Sequence, residues 1–146
     1  MDSFAHAQPE LKRCSSLASI LIVEDDEDTR DMLKTCIELE TSYSVVALAN
    51  ADETLKYFQE TPEVRPCLFI FDFYLPTITG LQLYDFLHIS KDFEHIPAII
   101  ITAGTLNLEL DRAIAERNLK LLLKPFDIYE LIDCVKRMLI GPGQLI

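Results

Sequence analysis

The hydrophobic positions of the chain switch between two patterns at regular intervals after Ser19. Short runs rich in β-branched and aromatic residues alternate with longer segments in which apolar residues recur with the period of an α-helix. The predicted strands span residues 20–23, 43–48, 67–71, 98–101 and 119–123. Three of the predicted helices span residues 27–40, 81–90 and 108–117. Another follows Asn50 and includes Leu55, Tyr57 and Phe58. The last helix begins at residue 128 and is terminated by Gly141 and Pro142. Strict alternation of strand and helix predicts a doubly wound α/β fold with a five-stranded parallel sheet.

The apolar faces of these elements predict where the core lies. Residues 67–71 are apolar at every position, which is typical of a strand covered by helices on both faces. Residues 98–101 and 119–123 are interpreted in the same way, so all three strands are expected to be buried. In the helix over 27–40, the expected buried face consists of Met32, Leu33, Cys36 and Ile37.

The length of 146 residues fits one domain with its own core. The regular pattern occupies residues 19–140, which form the predicted domain. Residues 1–18 lack periodicity and are predicted to be a flexible N-terminal arm, and residues 141–146 to be a C-terminal tail. Gly141-Pro142-Gly143 in that tail also fits the start of a linker to a further domain.

Charge and hydropathy exclude several classes of partner. The chain has 13 Lys and Arg residues against 24 Asp and Glu residues, which gives a net charge of −11. This balance argues against direct binding to nucleic acids, whose phosphates select clustered basic side chains, and against binding to anionic membranes. No apolar run approaches the ~20 residues that span a bilayer, and the N-terminus lacks the pattern of a signal peptide. We therefore expect a cytoplasmic protein.

The chain has four cysteines, which are Cys14, Cys36, Cys67 and Cys134. No pair has the CxxC spacing of a zinc site, and no histidine lies near them in the sequence. We expect reduced thiols that act as small buried apolar residues.

Polar residues suited to chemistry follow four of the five predicted strands. They are Glu24, Asp25 and Asp26 after the first strand, Asp72 after the third, Thr102 after the fourth and Lys124 after the fifth. Ligands of doubly wound folds bind beyond the carboxyl ends of the strands, so these residues are expected to converge on one site. Asp26 is the exception, because its position favours a charge at the helix N-terminus over a metal ligand.

The carboxylates of this group predict a bound cation. Two carboxylates about 4 Å apart repel each other by ~4 kcal/mol at an effective dielectric constant of ~20, so Glu24, Asp25 and Asp72 need a positive charge among them. Oxygen ligands with open positions favour Mg²⁺ or Mn²⁺ over zinc. Such a cation, the Lys124 ammonium and the Thr102 hydroxyl would form a cage for a phosphoryl group, with Asp72 as the candidate nucleophile.

Four segments, in this order and on these elements, resemble the receiver domain of response regulators in two-component systems. They are residues 20–26 (ILIVEDD), 71–76 (FDFYLP) with Gly80, 101–103 (ITA) and 124–126 (KPF). The resemblance covers residues 19–140. It implies a flavodoxin-like (βα)5 sandwich with strand order 2-1-3-4-5. It also implies a signalling switch that takes a phosphoryl group from a sensor histidine kinase or a phosphotransfer protein.

The resemblance implies a metal-binding role for several residues. Asp72 corresponds to the phosphoacceptor and also to a ligand of Mg²⁺ or Mn²⁺. Asp25 corresponds to the direct metal ligand of the acidic pair, and Glu24 to its partner, which often acts through water. The backbone carbonyl of Tyr74 would complete the protein's share of the ion's ligands.

The resemblance also assigns the groups that contact the phosphoryl group. Thr102 matches the hydroxyl that shifts toward it, and Lys124 matches the residue that pairs with it. The Lys124–Pro125 peptide bond is expected to be cis, as is usual in this family. A domain of this kind catalyses only its own phosphorylation and dephosphorylation and is not an enzyme acting on other substrates. The sequence identifies neither the output partner nor the oligomeric state.

Three positions depart from the family's usual pattern or vary within it. Leu121 stands where an aromatic ring usually moves together with the threonine, so coupling through a ring is not expected here. Tyr74 and Gly104 lie where family members vary, beside the path of the hydrolytic water. We expect these two residues to tune the lifetime of the phosphorylated state.

Other functions remain as alternatives. A degenerate receiver that acts only as a phosphorylation-independent interaction module is favoured by Leu121 alone. A phosphatase of the haloacid-dehalogenase type would need a second aspartate two residues after the nucleophile, where Tyr74 stands. A flavodoxin-like cofactor binder would need a phosphate-binding loop after the first strand, where the chain has an acidic loop instead.

Overall fold

The structure, a computed structural model, describes residues 19–104 and 108–140. Within these ranges the five strands are Ile20–Val23 (β1), Val45–Leu48 (β2), Leu68–Asp72 (β3), Ala98–Thr102 (β4) and Leu119–Leu123 (β5). The five helices are Glu27–Glu40 (α1), Ala51–Glu60 (α2), Gly80–Leu87 (α3), Leu108–Ala115 (α4) and Ile128–Ile140 (α5). All strand pairs are parallel, in the order β2-β1-β3-β4-β5. The predicted fold class and strand order are therefore confirmed.

Side-chain caps explain where the helices begin. Asp26 caps α1 and Asn50 caps α2, each by accepting a hydrogen bond from a backbone N–H three residues further on, at 2.9 and 2.8 Å. Thr79 and Gln82 form a reciprocal capping box at the start of α3. Asp127 accepts a hydrogen bond from the Glu130 backbone N–H at the start of α5. Such caps satisfy N–H groups that have no partner within the helix.

Several predicted boundaries differ from the structure by a few residues. Strand β2 begins at Val45 and not at Tyr43, because its pairing with β1 starts with Ile20 opposite Val45. Helix α3 ends at Leu87 and α4 at Ala115, each short of its predicted end.

The core consists of two clusters, because successive residues of a strand point to opposite faces of the sheet. One cluster packs the sheet against α1 and α5, and its buried members include Ile22, Ile70, Leu33 and Val135. The other packs the opposite face against α2 and α3, and its buried members include Phe69, Phe71, Ala51 and Leu83. Strands β1, β3 and β4 are buried along their whole length, which fixes the position of the residues that follow them.

Two burial predictions are wrong. Strand β5 lies at the edge of the sheet, so Lys120 and Leu123 are exposed and Leu122 is the one residue of that strand that is buried. Met32 of α1 is 43% exposed, although Leu33 and Ile37 of the same helix are buried as expected.

The cysteine prediction is correct only in part. Cys36 and Cys134 are free, and Cys134 is buried. Cys67 is disulfide-bonded, which contradicts the expected reduced thiol at that position. Cys14 lies outside the described residues.

The predicted arm over residues 1–18 and the predicted tail over residues 141–146 also lie outside the described residues. None of the helices in the described ranges has the length and apolar content that crossing a bilayer would require.

Candidate functional site

Strand register brings the predicted site residues to one edge of the sheet. Val23 lies opposite Phe71, so Glu24, which follows β1, and Asp72, the last residue of β3, lie at the same level of neighbouring strands. Asp72 in turn pairs with Ile101, the residue before Thr102. The backbone N–H of Lys124 donates to the carbonyl of Thr102 at 2.9 Å. The predicted convergence at the carboxyl ends of β1, β3, β4 and β5 is thus what the structure shows.

Three carboxylates form the acidic part of the site. One oxygen from each of Glu24, Asp25 and Asp72 lies within 4.8 Å of the other two. Glu24 and Asp72 are 1% and 7% exposed, whereas Asp25 is exposed. Buried carboxylates at this spacing repel each other, and an oxygen-liganded divalent cation such as Mg²⁺ is the group that offsets such repulsion.

Glu24 has one carboxylate oxygen whose hydrogen-bonding capacity is unused. Its Oε2 accepts a hydrogen bond from the Asp26 backbone N–H at 3.1 Å, but its buried Oε1 has no hydrogen-bond partner among the described residues. Burial raises the pKa of Glu24 to about 7, with a further increase from Asp72, while the Asp26 N–H and Lys124 oppose the shift. An unpartnered buried carboxylate oxygen is costly, so this site fits a bound cation or an ion-bound water.

Asp72 lies at the end of β3 with its side chain beside a lysine. The Nζ atom of Lys124 is 3.9 Å from Oδ1 of Asp72 and 3.6 Å from Oε1 of Glu24. Burial raises the pKa of Asp72, and the Asp25 charge raises it further, whereas Lys124 and the Tyr74 backbone N–H lower it. Lys124 thus supplies part of the positive charge that the two buried carboxylates require.

Asp26 has a different role from its two acidic neighbours. Its Oδ2 accepts hydrogen bonds from the Thr29 backbone N–H at 2.9 Å and from the Thr29 hydroxyl at 2.7 Å. These bonds lower the pKa of Asp26. The interpretation of Asp26 as a helix N-terminal charge is confirmed.

Thr102 and Tyr74 lie together on another side of the site. The Thr102 side chain is buried, and its Oγ1 accepts a hydrogen bond from the Gly104 backbone N–H at 3.2 Å. Tyr74 is 61% exposed, and its ring lies beside Gly104, since a Cβ atom on that glycine would be 3.1 Å from the Tyr74 hydroxyl. The same Cβ would be 3.6 Å from Thr102 Oγ1. The ring therefore reaches from the loop after β3 to the loop after β4, a contact that the sequence does not reveal.

Gly80 holds the loop after β3 against the strand. A Cβ atom at this position would lie only 2.3 Å from the Asp72 carbonyl oxygen, which no side chain tolerates without movement of the backbone. The Gly80 N–H donates to the Phe73 carbonyl at 2.8 Å. Within the same loop, Thr77 has a φ of 76°, in the left-handed region that non-glycine residues rarely adopt. Gly80 was part of the sequence motif, but its close approach to Asp72 is visible only in the structure.

Two further predictions concern the Lys124–Pro125 peptide bond and the side chain at position 121. The Lys124–Pro125 peptide bond is cis, as expected. Leu121 is partly buried and packs against the cluster on the α2 and α3 face. The expectation that coupling through an aromatic ring is absent at Leu121 stays a prediction.

The loop of the acidic pair also contacts a basic residue that sequence reasoning missed. Arg30 of α1 donates from Nη1 to the Glu24 carbonyl at 2.9 Å and lies 3.5 Å from the Asp25 carbonyl. Main-chain acceptors leave no signal in the sequence, so no pattern in the chain points to this contact.

Comparison with protein families gives one decisive match. The family described as the response regulator receiver domain matches residues 20–136. The chain belongs to this family. Receiver domains are the switches of two-component regulatory systems, and they bind Mg²⁺ at the acidic pocket where this receiver has Glu24, Asp25 and Asp72.

Individual relatives agree with this assignment. The polar-differentiation response regulator DivK of Brucella anthropi is 28% identical over 121 residues, which cover 83% of this chain and 95% of DivK. A CheY-like receiver domain protein from Methanospirillum hungatei superimposes with a TM-score of 0.72 at 28% identity, over 85% of this chain and 94% of that one. The chemotaxis regulator CheY4 of Vibrio cholerae, at 22% identity, has the same fold, with a TM-score of 0.71 over 83% of this chain and 98% of its own.

Proposed function

We propose that this receiver accepts a phosphoryl group on Asp72 from a sensor histidine kinase or a phosphotransfer protein, with Mg²⁺ or Mn²⁺ bound beside it. The observation that carries the proposal is the position of the Asp72 carboxylate, which is buried between two other carboxylates and the Lys124 ammonium. A buried carboxylate with a raised pKa and a specific cationic neighbour is typical of a reactive group.

The proposed transfer moves the phosphoryl group from nitrogen to oxygen. A carboxylate oxygen of Asp72 forms a bond to phosphorus while the phosphorus–nitrogen bond of the donor's phosphohistidine breaks. The imidazole nitrogen of the donor keeps the electron pair of that bond and takes up a proton. The product is an aspartyl phosphate, a known type of covalent intermediate.

The residues proposed to hold the ion are Asp25 and Asp72 through their side chains, Tyr74 through its backbone carbonyl and Glu24 through water. When bound, the cation would offset the negative charge of the carboxylates and of the incoming phosphoryl oxygens. The unpartnered Oε1 of Glu24 supports this assignment, because an ion-bound water could donate the missing hydrogen bond.

Thr102 and Lys124 are proposed to contact the phosphoryl oxygens. Thr102 Oγ1 accepts a hydrogen bond from Gly104, which leaves its own proton available for donation to the new group. Lys124 already lies between two carboxylates and can pair with an added anion by a small movement of its side chain.

The Tyr74 ring is proposed to shield the bond that water must attack. Loss of the phosphoryl group requires a water in line with the bond from Asp72 to phosphorus, and exclusion of water from such a path slows the reaction. The contact of the ring with Gly104 supports this role, because it places the ring beside Thr102. We therefore propose a long-lived phosphorylated form.

The receiver is proposed to act in the cytoplasm through an output partner that is a protein, without direct contact to nucleic acid. Its chemistry is limited to its own phosphorylation and dephosphorylation. The phosphatase alternative is not supported, since Tyr74 has no carboxyl group that could serve as the general acid. Because Leu121 is aliphatic, the signal is proposed to pass from Thr102 to the partner surface without the usual ring movement.

Incubation with acetyl phosphate and Mg²⁺, followed by intact mass measurement, tests the proposal. A mass gain of one phosphoryl group that a chelator prevents is the expected result. No gain under any metal condition would favour the degenerate receiver, which acts as an interaction module independent of phosphorylation.

A further inference from the structure

The side chain of Arg30 joins helix α1 to the main chain of the acidic loop. Its Nη1 donates a hydrogen bond of 2.9 Å to the Glu24 carbonyl and makes a longer contact of 3.5 Å with the Asp25 carbonyl. The Arg30 backbone N–H donates to the carbonyl of Asp26 at 2.9 Å. The Arg30 side chain thus contacts two successive carbonyl groups in the loop that supplies two of the three clustered carboxylates, while its backbone makes the first hydrogen bond of α1.

The Arg30 guanidinium forms no salt bridge with the carboxylates next to it, although its charge acts on Asp26 from a greater distance. Among the described residues no ion pair joins Arg30 to an acidic side chain, although Glu24, Asp25 and Asp26 all lie in the loop that it contacts. An arginine that paired with one of these carboxylates would occupy oxygens that a metal ion needs, because such pairs are commonly bidentate. By bonding to main-chain oxygens, Arg30 can hold the loop and leave its carboxylates to a cation.

The orientation of the Glu24 carboxylate depends on the main chain that Arg30 contacts. Glu24 Oε2 accepts its hydrogen bond from the Asp26 backbone N–H, so the carboxylate turns with the peptide groups between these two residues. The loop is fixed at its start by the Glu24 N–H, which donates to the Leu48 carbonyl at 2.9 Å, and at its end by the Asp26 cap. Arg30 contacts the stretch between these two fixed points.

We propose that Arg30 is a positioning residue for the magnesium site. It holds the backbone of Glu24 and Asp25 in the arrangement in which their carboxylates and that of Asp72 bind the ion, and it does not touch the ion itself. The inference rests on the proposed function, because it takes the acidic group to be the Mg²⁺ site. Groups that orient metal ligands in this way typically contribute 10–100-fold to metal affinity.

The opposite effect follows if Arg30 acts only through its charge. A guanidinium close to the site repels a divalent cation, so removal of the charge alone would tighten Mg²⁺ binding. Loss of positioning would weaken it. The direction of the change in affinity therefore separates the two effects.

Calorimetric titration of Mg²⁺ into the full chain tests the proposal. Arg30→Met keeps the apolar stem of the side chain and removes both the donors and the charge, and we expect it to raise the Kd for Mg²⁺ about tenfold. The matched control is Lys34→Met, on the next turn of α1. Lys34 also bonds a backbone carbonyl, that of Val45 at 2.9 Å, but at the start of β2, at the opposite end of the sheet. We expect the Kd of this control to equal that of the wild type.

Every other result of the titration contradicts either this inference or the proposed function. An unchanged or lower Kd in Arg30→Met overturns the inference, and so does a lower melting temperature with an unchanged Kd, which would show general structural support only. If the wild type itself binds no Mg²⁺, the proposed function fails and not merely this inference. If Arg30→Met does not fold, Arg30→Lys replaces it, since this variant keeps the charge but has a shorter side chain that does not reach the position from which Nη1 contacts both carbonyls. Wild-type affinity in Arg30→Lys would then contradict the proposal.

Discussion

The Nζ atom of Lys124 lies 3.6 Å from Oε1 of Glu24, a buried carboxylate oxygen with no hydrogen-bond partner among the described residues. The lysine is too distant for a hydrogen bond and lies almost as close to Asp72, so it stabilises each carboxylate only in part. Burial therefore dominates and raises the pKa of Glu24 to about 7. A buried carboxylate that a lysine stabilises only in part favours the binding of a cation or of a proton.

This raised pKa predicts a pH dependence of stability. In the folded state Glu24 has a pKa of about 7, against an ordinary value of 4.5 that applies to the unfolded chain, so folding favours its protonated form. The stability that this group contributes is complete below about pH 4.5 and is lost as the pH rises through about 7. Without Mg²⁺, the melting temperature of the wild type should fall across this range relative to that of Glu24→Gln. If the melting temperatures of the two proteins change with pH in the same way, the raised pKa of Glu24 is contradicted.

Magnesium should stabilise the protein through Asp25. An ion that binds only the folded state adds RT ln(1 + [L]/Kd), which is about 1.4 kcal/mol at a concentration of about ten times Kd. Melting temperatures measured with and without Mg²⁺ should therefore differ in the wild type and coincide in Asp25→Ala. A shift of equal size in Asp25→Ala would place the ion elsewhere.

Asp72→Asn should leave the fold intact. The substitution removes one of three mutually repelling carboxylates and keeps nearly the same side-chain shape, so the melting temperature in the absence of metal should stay level or rise. Thermal unfolding followed by circular dichroism checks this expectation. A large loss of stability would mean that the Asp72 charge supports the fold rather than reactivity.

The two glycines near the site should respond differently to a methyl group. Gly80→Ala places a Cβ atom 2.3 Å from the Asp72 carbonyl oxygen and should cost about 1–3 kcal/mol of unfolding free energy, the usual range for overpacking. In Gly104→Ala the closest atom is the hydroxyl of the exposed Tyr74 ring, which can move aside. Denaturant unfolding should therefore show little change for Gly104→Ala. Equal losses in the two variants would contradict this account of the loop.

The lifetime of the phosphorylated form should depend on the Tyr74 ring. If the ring shields the bond to phosphorus, Tyr74→Asn should lose a radiolabelled phosphoryl group faster than the wild type in the presence of Mg²⁺. Gly104→Ala, which moves the ring aside, should shift the decay in the same direction. Equal or slower decay in Tyr74→Asn would show that the ring is no shield and that Gly104 leaves the site open to water.

Local signals explain why much of the fold could be predicted from the sequence. The bounds of α1 follow from the Asp26 cap and from a clear helical period, and those of β1 from four successive apolar residues. The burial of β5 was predicted wrongly because the exposure of an edge strand depends on its place in the sheet and not on its own residues. The disulfide at Cys67 likewise carries no signal in the spacing of the cysteines.

The site could be predicted only as far as side chains at strand ends reveal it. A parallel sheet brings the carboxyl ends of its strands together, so the sequence could predict that the side chains at these ends converge. They are those of Glu24, Asp72, Thr102 and Lys124. The contact between Tyr74 and Gly104 depends on the paths of two separate loops, which no periodic pattern encodes.

The most direct test of the central claim is the location of the phosphoryl group after incubation with acetyl phosphate and Mg²⁺. Wild type and Asp72→Asn should be treated in parallel, and the modified residue identified by mass spectrometry of proteolytic fragments. The account predicts one modified residue, Asp72, and no stable modification in Asp72→Asn. Retention of the label in Asp72→Asn, or its location on another residue of the wild type, would contradict the assignment of Asp72 as the phosphoacceptor.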